Sequence, residues 1–277
     1  MTEPLTKILF IGDIIGSPGR EAVARLLPGL LRQYQPDAVI ANGENAAGGF
    51  GITPKIFDDL MDLKIDVVTT GNHVWDRKEI IEYFRRDEFA KKDEIRLIRP
   101  ANYPPGTPGS GWAVFKTNAG VKVAVLNLSG RIFMDAIDCP FRTAEECVKK
   151  IREETGAPPA PVIILDMHAE TTSEKAAMGW FMDGSVSAVI GTHTHVQTSD
   201  ERILPNGTAF ITDAGMTGPV DSVIGMKRET IIETFLTKMP GRFEVADEGL
   251  ELQGVFVAIG SQDGRARKIE RIRLKAG

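Results

Sequence analysis

The chain has 277 residues, of which 42% are hydrophobic and 26% are charged, a composition typical of a soluble protein with a sizeable core. Its formal net charge of −5 provides no general basic field, so binding to long DNA or RNA is not favoured. The two cysteines cannot form a disulfide framework, and no apolar run approaches the ~18 residues that span a bilayer. We therefore expect a single domain over residues 1–277, located in the cytoplasm and outside any membrane.

The first part of the chain predicts alternating strands and helices. Apolar runs at 8–11, 38–41 and 66–69 predict strands, and helical spacing predicts helices at 21–33, at 54–63 and from about 78. Pro18 and Gly19 are expected to precede the first helix, because proline is tolerated where a helix begins. A loop rich in proline and glycine at 99–111 is the best linker candidate, but strands resume directly after it, which favours one domain.

The second part of the chain predicts a β-hairpin, followed again by alternating helices and strands. Strands at 112–116 and 121–126 flank the turn Asn118-Ala119-Gly120. A helix at about 144–154, a strand at 162–165, a helix at 173–182 and a strand at 188–190 follow. The last third, which includes Phe210, Phe235 and the runs 252–259 and 269–274, is expected to be mostly β. Two sheets packed face to face, with helices outside, would accommodate both the alternating strands and helices and the antiparallel hairpin.

All four histidines lie in polar motifs that follow apolar runs. A single motif of this kind is typical of turn chemistry. This chain has five, at the carboxyl ends of predicted strands, where ligands collect in such sheets: Gly12-Asp13, Gly43-Glu44-Asn45, Gly71-Asn72-His73, Asp166-Met167-His168 and Gly191-Thr192-His193-Thr194-His195. Because all five are rich in metal-ligating side chains, together they indicate a metal site.

The pair His193 and His195 favours a site with two metal ions. Residues i and i+2 of an extended segment face the same way with Cα atoms roughly 6.5–7 Å apart, so their imidazoles reach one ion or two adjacent ions. The carboxylates of Asp13 and Glu44 would complete the site, and one carboxylate can bridge both ions. Such a site keeps a net charge of about +2 and attracts an anion, and its metal-bound water can attack phosphorus. Phosphoester hydrolysis is therefore the leading reaction class.

Together these motifs resemble those of the calcineurin-like metallophosphoesterases, whose pattern is Asp-x-His, Gly-Asp, Gly-Asn-His, a later His and Gly-His-x-His. Ile15 stands where that pattern has its first histidine, and Glu44-Asn45 replaces the usual aspartate. Both departures match the YmdB subgroup, which the chain resembles from about Lys7 to its C-terminus. The resemblance implies an α/β fold, a four-layer α/β/β/α sandwich of two mixed sheets flanked by helices. It also implies hydrolysis of 2′,3′-cyclic nucleotides to 3′-nucleotides by a metal-bound hydroxide.

The resemblance further implies roles for the motif residues. One ion would be held by Asp13, Glu44, Asn45 and His195, and the other by Glu44, Asn72, His168 and His193, so that Glu44 is the bridge. His73 is left as the general acid that protonates the leaving 2′ oxygen, in accord with imidazole chemistry at neutral pH. Nitrogen and oxygen ligands suit iron or manganese, which we expect, with zinc or magnesium as alternatives.

Substrate contacts and several alternatives stay open. Asn102, Arg131 and Phe133 are candidates for contacts with phosphate or base, although packing or a surface position explains such residues equally well. The segment 213–218 is a candidate border of the same site. The metal site would also suit a phosphomonoester, a phosphoprotein or RNA ends. A regulatory nucleotide- or protein-binding module with incidental hydrolysis is a further alternative, and a homo-oligomer is compatible with the sequence.

Overall fold

The computed structural model describes residues 3–86, 91, 93–156 and 161–276. The strands are β1 (Leu5–Ile11), β2 (Asp13–Ile14), β3 (Ala38–Asn42), β4 (Val67–Thr69), β5 (Trp112–Lys116), β6 (Lys122–Ser129), β7 (Val162–His168), β8 (Ala188–Thr192), β9 (Arg202–Ile203), β10 (Ala209–Ile211), β11 (Met216–Pro219), β12 (Leu250–Gly260) and β13 (Ala266–Lys275). The helices are α1 (Gly16–Tyr34), α2 (Pro54–Asp62), α3 (Glu79–Arg86), α4 (Pro140–Thr155), α5 (Thr172–Phe181) and α6 (Arg228–Thr237).

The strands form two mixed sheets. The first has the order β2-β11-β12-β1-β3-β4, with β13 also paired to β12, and the second has the order β5-β6-β7-β8-β10-β9. Strands β1, β3 and β4 are parallel to one another, as are β6, β7, β8 and β10. The carboxyl ends of parallel strands lie at one edge of a sheet, so each sheet offers such an edge for the polar motifs.

Three apolar layers separate four layers of secondary structure. Side chains such as Phe10 and Ile164 fill the space between the two sheets. The outer face of the first sheet packs on α1, α2 and α3 through residues such as Leu27, and that of the second packs on α4 and α5 through residues such as Ile151. The expected α/β/β/α sandwich is therefore confirmed.

Two sequence-based boundaries were wrong. Phe235, expected in a β region, lies in α6, because the pairs Ile231-Ile232 and Phe235-Leu236 repeat at helical spacing. Helix α1 begins at Gly16, so Pro18 and Gly19 lie inside its first turn and do not precede it. A Cβ atom on Gly19 would lie 2.5 Å from the Thr217 carbonyl oxygen, so this glycine lets α1 approach β11.

The two strands of the second sheet that carry polar motifs are longer than the sequence predicted. Strand β7 continues to His168 and β8 to Thr192, so Asp166 and His168 belong to the sheet itself. Among the described residues, no helix has the length and apolarity required to cross a bilayer. The single domain over 1–277 and the cytoplasmic location stay predictions.

Candidate metal centre

The five motifs meet where the two sheets present their carboxyl ends. Asp13, Glu44 and Asn72 come from the first sheet or the turns that follow its strands, and His168 and His193 come from the end of β7 and the turn after β8. Two groups of side chains bring potential ligand atoms within 4.8 Å of one another: Glu44, His168 and His193 in one, and Asp13, Glu44 and His195 in the other. Glu44 is common to both groups, as a bridging ligand would be.

Glycines in the motifs allow the side chains and strands of the cluster to approach one another closely. A Cβ atom on Gly71 would lie 2.3 Å from both Glu44 Oε2 and His168 Nε2, so no other residue fits before Asn72 without displacing them. A Cβ atom on Gly191 would lie 1.7 Å from the Thr212 carbonyl oxygen. The glycines of these motifs are thus required by the close approach of other chain segments.

The donor set around His168 is arranged for a cation. Its Nε2 atom lies 3.0 Å from Glu44 Oε1, 3.0 Å from Asn72 Oδ1 and 3.1 Å from His193 Nδ1. One ring nitrogen cannot donate hydrogen bonds to three such atoms together, whereas a metal ion accepts electron pairs from all of them. Asp13 Oδ1 is buried and has no hydrogen-bond partner among the described residues. The residues present therefore fit a metal site.

A buried hydrogen-bond chain fixes the tautomer of His168. The Thr192 hydroxyl donates to Asp166 Oδ1 at 2.7 Å, so its oxygen accepts from His168 Nδ1 at 2.9 Å. The remaining nitrogen, Nε2, then carries the lone pair that faces the cluster. Asn42 Nδ2 also donates to Asp166, at 3.1 Å, which ties β3 of the first sheet to β7 of the second. Sequence reasoning did not assign Asp166 a role, although it stands two residues before a motif histidine.

The two histidines after β8 are held in the same way. His193 Nε2 lies 3.0 Å from Glu170 Oε2, which leaves Nδ1 to face the cluster. His195 Nδ1 donates to the Ile224 carbonyl oxygen at 2.9 Å, so Nε2 faces the Asn45 amide at 3.2 Å. Both histidines have positive φ angles, 96° and 62°, which side chains of this kind rarely adopt. Glu170 was not predicted from the sequence as the partner of His193.

A buried ion pair holds the loop between these histidines. Lys175 Nζ lies 2.8 Å from Asp213 Oδ2, and both side chains are fully buried. Asp213 accepts hydrogen bonds from the Thr194 amide at 3.1 Å and from its hydroxyl at 2.6 Å. Lys175 also donates to the Thr192 carbonyl oxygen at 3.1 Å. Asp213, from the segment expected to border the site, thus lies beneath the loop and positions it.

His73 lies beside the cluster and outside both ligand groups. Its Nδ1 atom is 2.9 Å from Asp76 Oδ2, and its backbone amide donates to Glu44 Oε2 at 3.2 Å. The ring of Phe50 packs edge-on against the imidazole, with centroids 5.1 Å apart. His73 is therefore oriented by its own contacts and needs no bond to a metal ion. Asp76, three residues further along the chain, is a partner that the sequence analysis did not assign.

Electrostatics within the cluster favour added positive charge. Burial raises the pKa of Asp13 well above its usual range. Burial also opposes ionisation of Glu44, but the neighbouring His168 outweighs it and lowers the pKa of that carboxyl. In turn, burial would lower the pKa of His168, but Glu44 and the other carboxylates raise it to about 9. Burial and His168 together lower the pKa of His193 to about 3. The carboxylates thus attract a cation, which a metal ion would supply.

A cavity of about 550 Å³ opens onto this cluster. One side is polar and includes Glu44, His73 and His195, whereas the other is apolar and includes Phe235 and Phe243. An apolar side was not predicted from the sequence. The lining residues are Glu44, Asn45, Gly49, Phe50, His73, Glu170, His193, Thr194, His195, Val223, Ile224, Met226, Ile231, Thr234, Phe235 and Phe243.

The three candidate substrate contacts lie outside this lining. Asn102 is buried, and its side-chain amide donates to the Ser129 and Asp138 carbonyl oxygens at 2.8 and 3.0 Å. Arg131 lines a separate cavity of about 490 Å³. Phe133 is 88% exposed. The structure therefore does not bring these residues into the cavity that holds the ligand cluster.

Comparisons with known proteins agree with this geometry. Residues 9–272 match the family model described as YmdB-like protein. A 2′,3′-cyclic-nucleotide 2′-phosphodiesterase of Bacillus subtilis strain 168 is 51% identical over 266 residues, which cover 96% of each chain. Among solved structures, a hypothetical protein from Thermus thermophilus matches with a TM-score of 0.86 and 38% identity, covering 98% of this chain and 100% of the other. A structure described as a novel phosphatase from Mycoplasma pneumoniae matches with a TM-score of 0.86 and 34% identity, covering 99% and 95%.

Proposed function

The chain belongs to the YmdB-like family and is a phosphoesterase, and from that premise we propose that it hydrolyses 2′,3′-cyclic nucleotides to 3′-nucleotides. The observation that carries the proposal is the pair of ligand groups that share Glu44 and leave His73 free beside them. The Bacillus subtilis relative has this activity in its name. The substrate is a small phosphodiester, which suits a cavity of about 550 Å³.

Two metal ions fit the donor set described above. We propose that Asp13, Glu44, Asn45 and His195 hold one ion and that Glu44, Asn72, His168 and His193 hold the other. When bound, the ions would supply an activated water and neutralise the phosphate charge. Iron or manganese is the proposed metal, since the ligands are nitrogen and oxygen atoms without a thiolate.

His73 would complete the reaction as the general acid. Attack of water on phosphorus breaks the bond to the 2′ oxygen, which needs a proton as it leaves. With Nδ1 donating to Asp76, a protonated Nε2 is the atom of His73 able to give that proton. The Asp76 carboxylate stabilises the imidazolium, in the way that an aspartate orients a catalytic histidine in hydrolases. The hydrogen bond from the His73 amide to Glu44 keeps the acid at a fixed position relative to the ligands.

The test combines metal analysis with product analysis. Purified protein loaded with iron or manganese should contain two ions and convert 2′,3′-cyclic AMP to 3′-AMP and not to 2′-AMP. His73→Ala should keep both ions and lower kcat by about 10²–10⁴-fold. Turnover of a diester with a p-nitrophenolate leaving group should fall much less, because that leaving group needs no proton.

A panel of substrates separates the proposal from its alternatives. The matched control is Lys55→Ala, which should leave both activities unchanged. Lys55 is exposed and, among the described residues, forms an ion pair only with Asp59 on α2. Higher kcat/KM for a phosphomonoester or a phosphopeptide than for 2′,3′-cyclic AMP would contradict the proposed substrate. Unchanged turnover of 2′,3′-cyclic AMP by His73→Ala would contradict the proposed acid.

A further inference from the structure

Apart from Phe50, which packs against His73, the apolar lining of the cavity has no role in the chemistry proposed above. This lining includes the rings of Phe50, Phe235 and Phe243. Ile224 and Met226 line the same cavity, and the Ile224 carbonyl oxygen accepts a hydrogen bond from His195. Reaction of a phosphate group does not require aromatic rings, so these side chains are available to the part of the substrate that does not react.

Two of these rings belong to a segment that leaves the body of the protein and returns to it. The wall segment, residues 228–243, is closed at its base by the Lys227 amide, which donates to the Glu244 carbonyl oxygen at 2.9 Å. The side chains of the same two residues form an ion pair at 2.8 Å. Helix α6 makes up most of the wall segment, and none of its residues is buried. Phe235 is 70% exposed although it lines the cavity.

The charges of the cavity limit what can bind there. Among the described residues that line it, none is a lysine or arginine, and the acidic ones are Glu44 and Glu170. Among the lining residues, an anionic group would therefore find a partner only at the ligand cluster, once metal ions are bound. Lys238 Nζ lies 5.7 Å from the centroid of the Phe235 ring, but Lys238 does not line the cavity. The occupant that fits is a group without charge and with apolar faces, joined to a single reacting phosphate.

A nucleobase has this chemistry. Its faces stack on aromatic side chains, an interaction worth ~1–3 kcal/mol per base and tolerant of base identity. We propose that Phe235 and Phe243, with Phe50, form a base-binding subsite that selects cyclic mononucleotides over phosphodiesters without a base. This inference rests on the proposed function, since it assigns the part of the substrate that lies beyond the reacting phosphate.

The subsite predicts a specific dependence on the base. In Phe235→Ala, KM for 2′,3′-cyclic AMP should rise about tenfold, which corresponds to ~1.4 kcal/mol, with kcat unchanged. Hydrolysis of ribose 2,3-cyclic phosphate, which lacks a base, should be the same in wild type and variant. Phe235→Trp should restore KM, because indole also stacks on bases. Leu236→Ala is the matched control, since Leu236 is the next residue of α6, is 80% exposed and does not line the cavity.

Three outcomes would overturn the subsite. One is an unchanged KM for 2′,3′-cyclic AMP in Phe235→Ala. Another is a decrease in kcat/KM for ribose 2,3-cyclic phosphate, in the same variant, that equals the decrease for 2′,3′-cyclic AMP. The third is a phosphopeptide whose kcat/KM depends on Phe235 more strongly than that of 2′,3′-cyclic AMP.

If wild-type protein did not hydrolyse 2′,3′-cyclic AMP, the proposed function would fail independently. Calorimetric binding of 3′-AMP and ribose 3-phosphate would then decide the subsite, and equal affinities in wild type and Phe235→Ala would reject it.

Discussion

The two sides of the cavity differ in how firmly the chain holds them. On the ligand side, Asp13, Glu44 and His168 are fully buried, and each histidine has a hydrogen-bond partner on one ring nitrogen. On the opposite side, α6 has no buried residue and the wall segment is fixed mainly at its base. Groups that react must be placed within a fraction of an ångström, whereas a surface that binds a base tolerates adjustment. The proposed metal ligands and acid thus lie among firmly held side chains, whereas most of the proposed base-binding subsite lies on the less firmly held wall segment.

The largest effect should come from removing the ion pair beneath the ligand loop. Lys175→Met leaves the Asp213 carboxylate buried without its cation, and breaking a buried pair costs about 3–5 kcal/mol of unfolding free energy. Urea titration measures the loss, and metal analysis should show reduced metal content. Lys55→Met removes an exposed ion pair with Asp59 and should change the unfolding free energy little. Equal losses in the two variants would show that the ligand side is not held by this pair.

A smaller effect should follow from loss of the hydrogen bond that orients His168. Thr192→Val keeps the side-chain volume but removes the hydroxyl that accepts from Nδ1 and donates to Asp166. Such supporting contacts typically contribute 10–100-fold to metal affinity, so affinity should fall by about this factor. Metal-binding titration measures it. Thr234→Val, in α6, should bind metal as wild type does, and a comparable loss there would contradict the comparison of the two sides.

A further decrease should follow from loss of the carboxylate beside His73. Asp76→Asn removes the charge that stabilises the imidazolium, and kcat for 2′,3′-cyclic AMP should fall about tenfold with metal content unchanged. Unchanged kcat with unchanged metal content would show that His73 does not need Asp76.

The smallest effect should come from the wall segment. Leu236→Ala removes an exposed side chain and should change the unfolding free energy by less than about 0.5 kcal/mol. The same truncation at Leu165, which is fully buried in β7 just before Asp166, should cost about 2–5 kcal/mol. Urea titration of both variants measures the contrast. A large loss in Leu236→Ala would mean that α6 is part of the packed structure in solution.

Local patterns were sufficient to predict most of the strands, the order of the layers and the clustering of the motifs at the strand ends. Alternating runs of apolar residues predict where strands end, and the carboxyl ends of parallel strands lie together whatever the distance in sequence. Asp13 and His193, 180 residues apart, were therefore predicted to share a site, and the His193 amide lies 3.2 Å from Asp13 Oδ2. The failure at Phe235 has a local cause, since a short apolar run is compatible with either a strand or a helix.

By itself, the sequence predicted which side chains gather at the strand ends, because the motifs follow those ends and contain residue types that commonly bind metals or transfer protons. The tertiary structure alone decided what holds them, such as Asp166 for His168 and Asp213 for the loop between His193 and His195. It also decided that Phe235 lines the cavity that holds the ligand cluster and that Arg131 does not. These contacts depend on how separate chain segments pack, and the hydrophobic patterns that specify each segment do not specify which polar side chains then become neighbours.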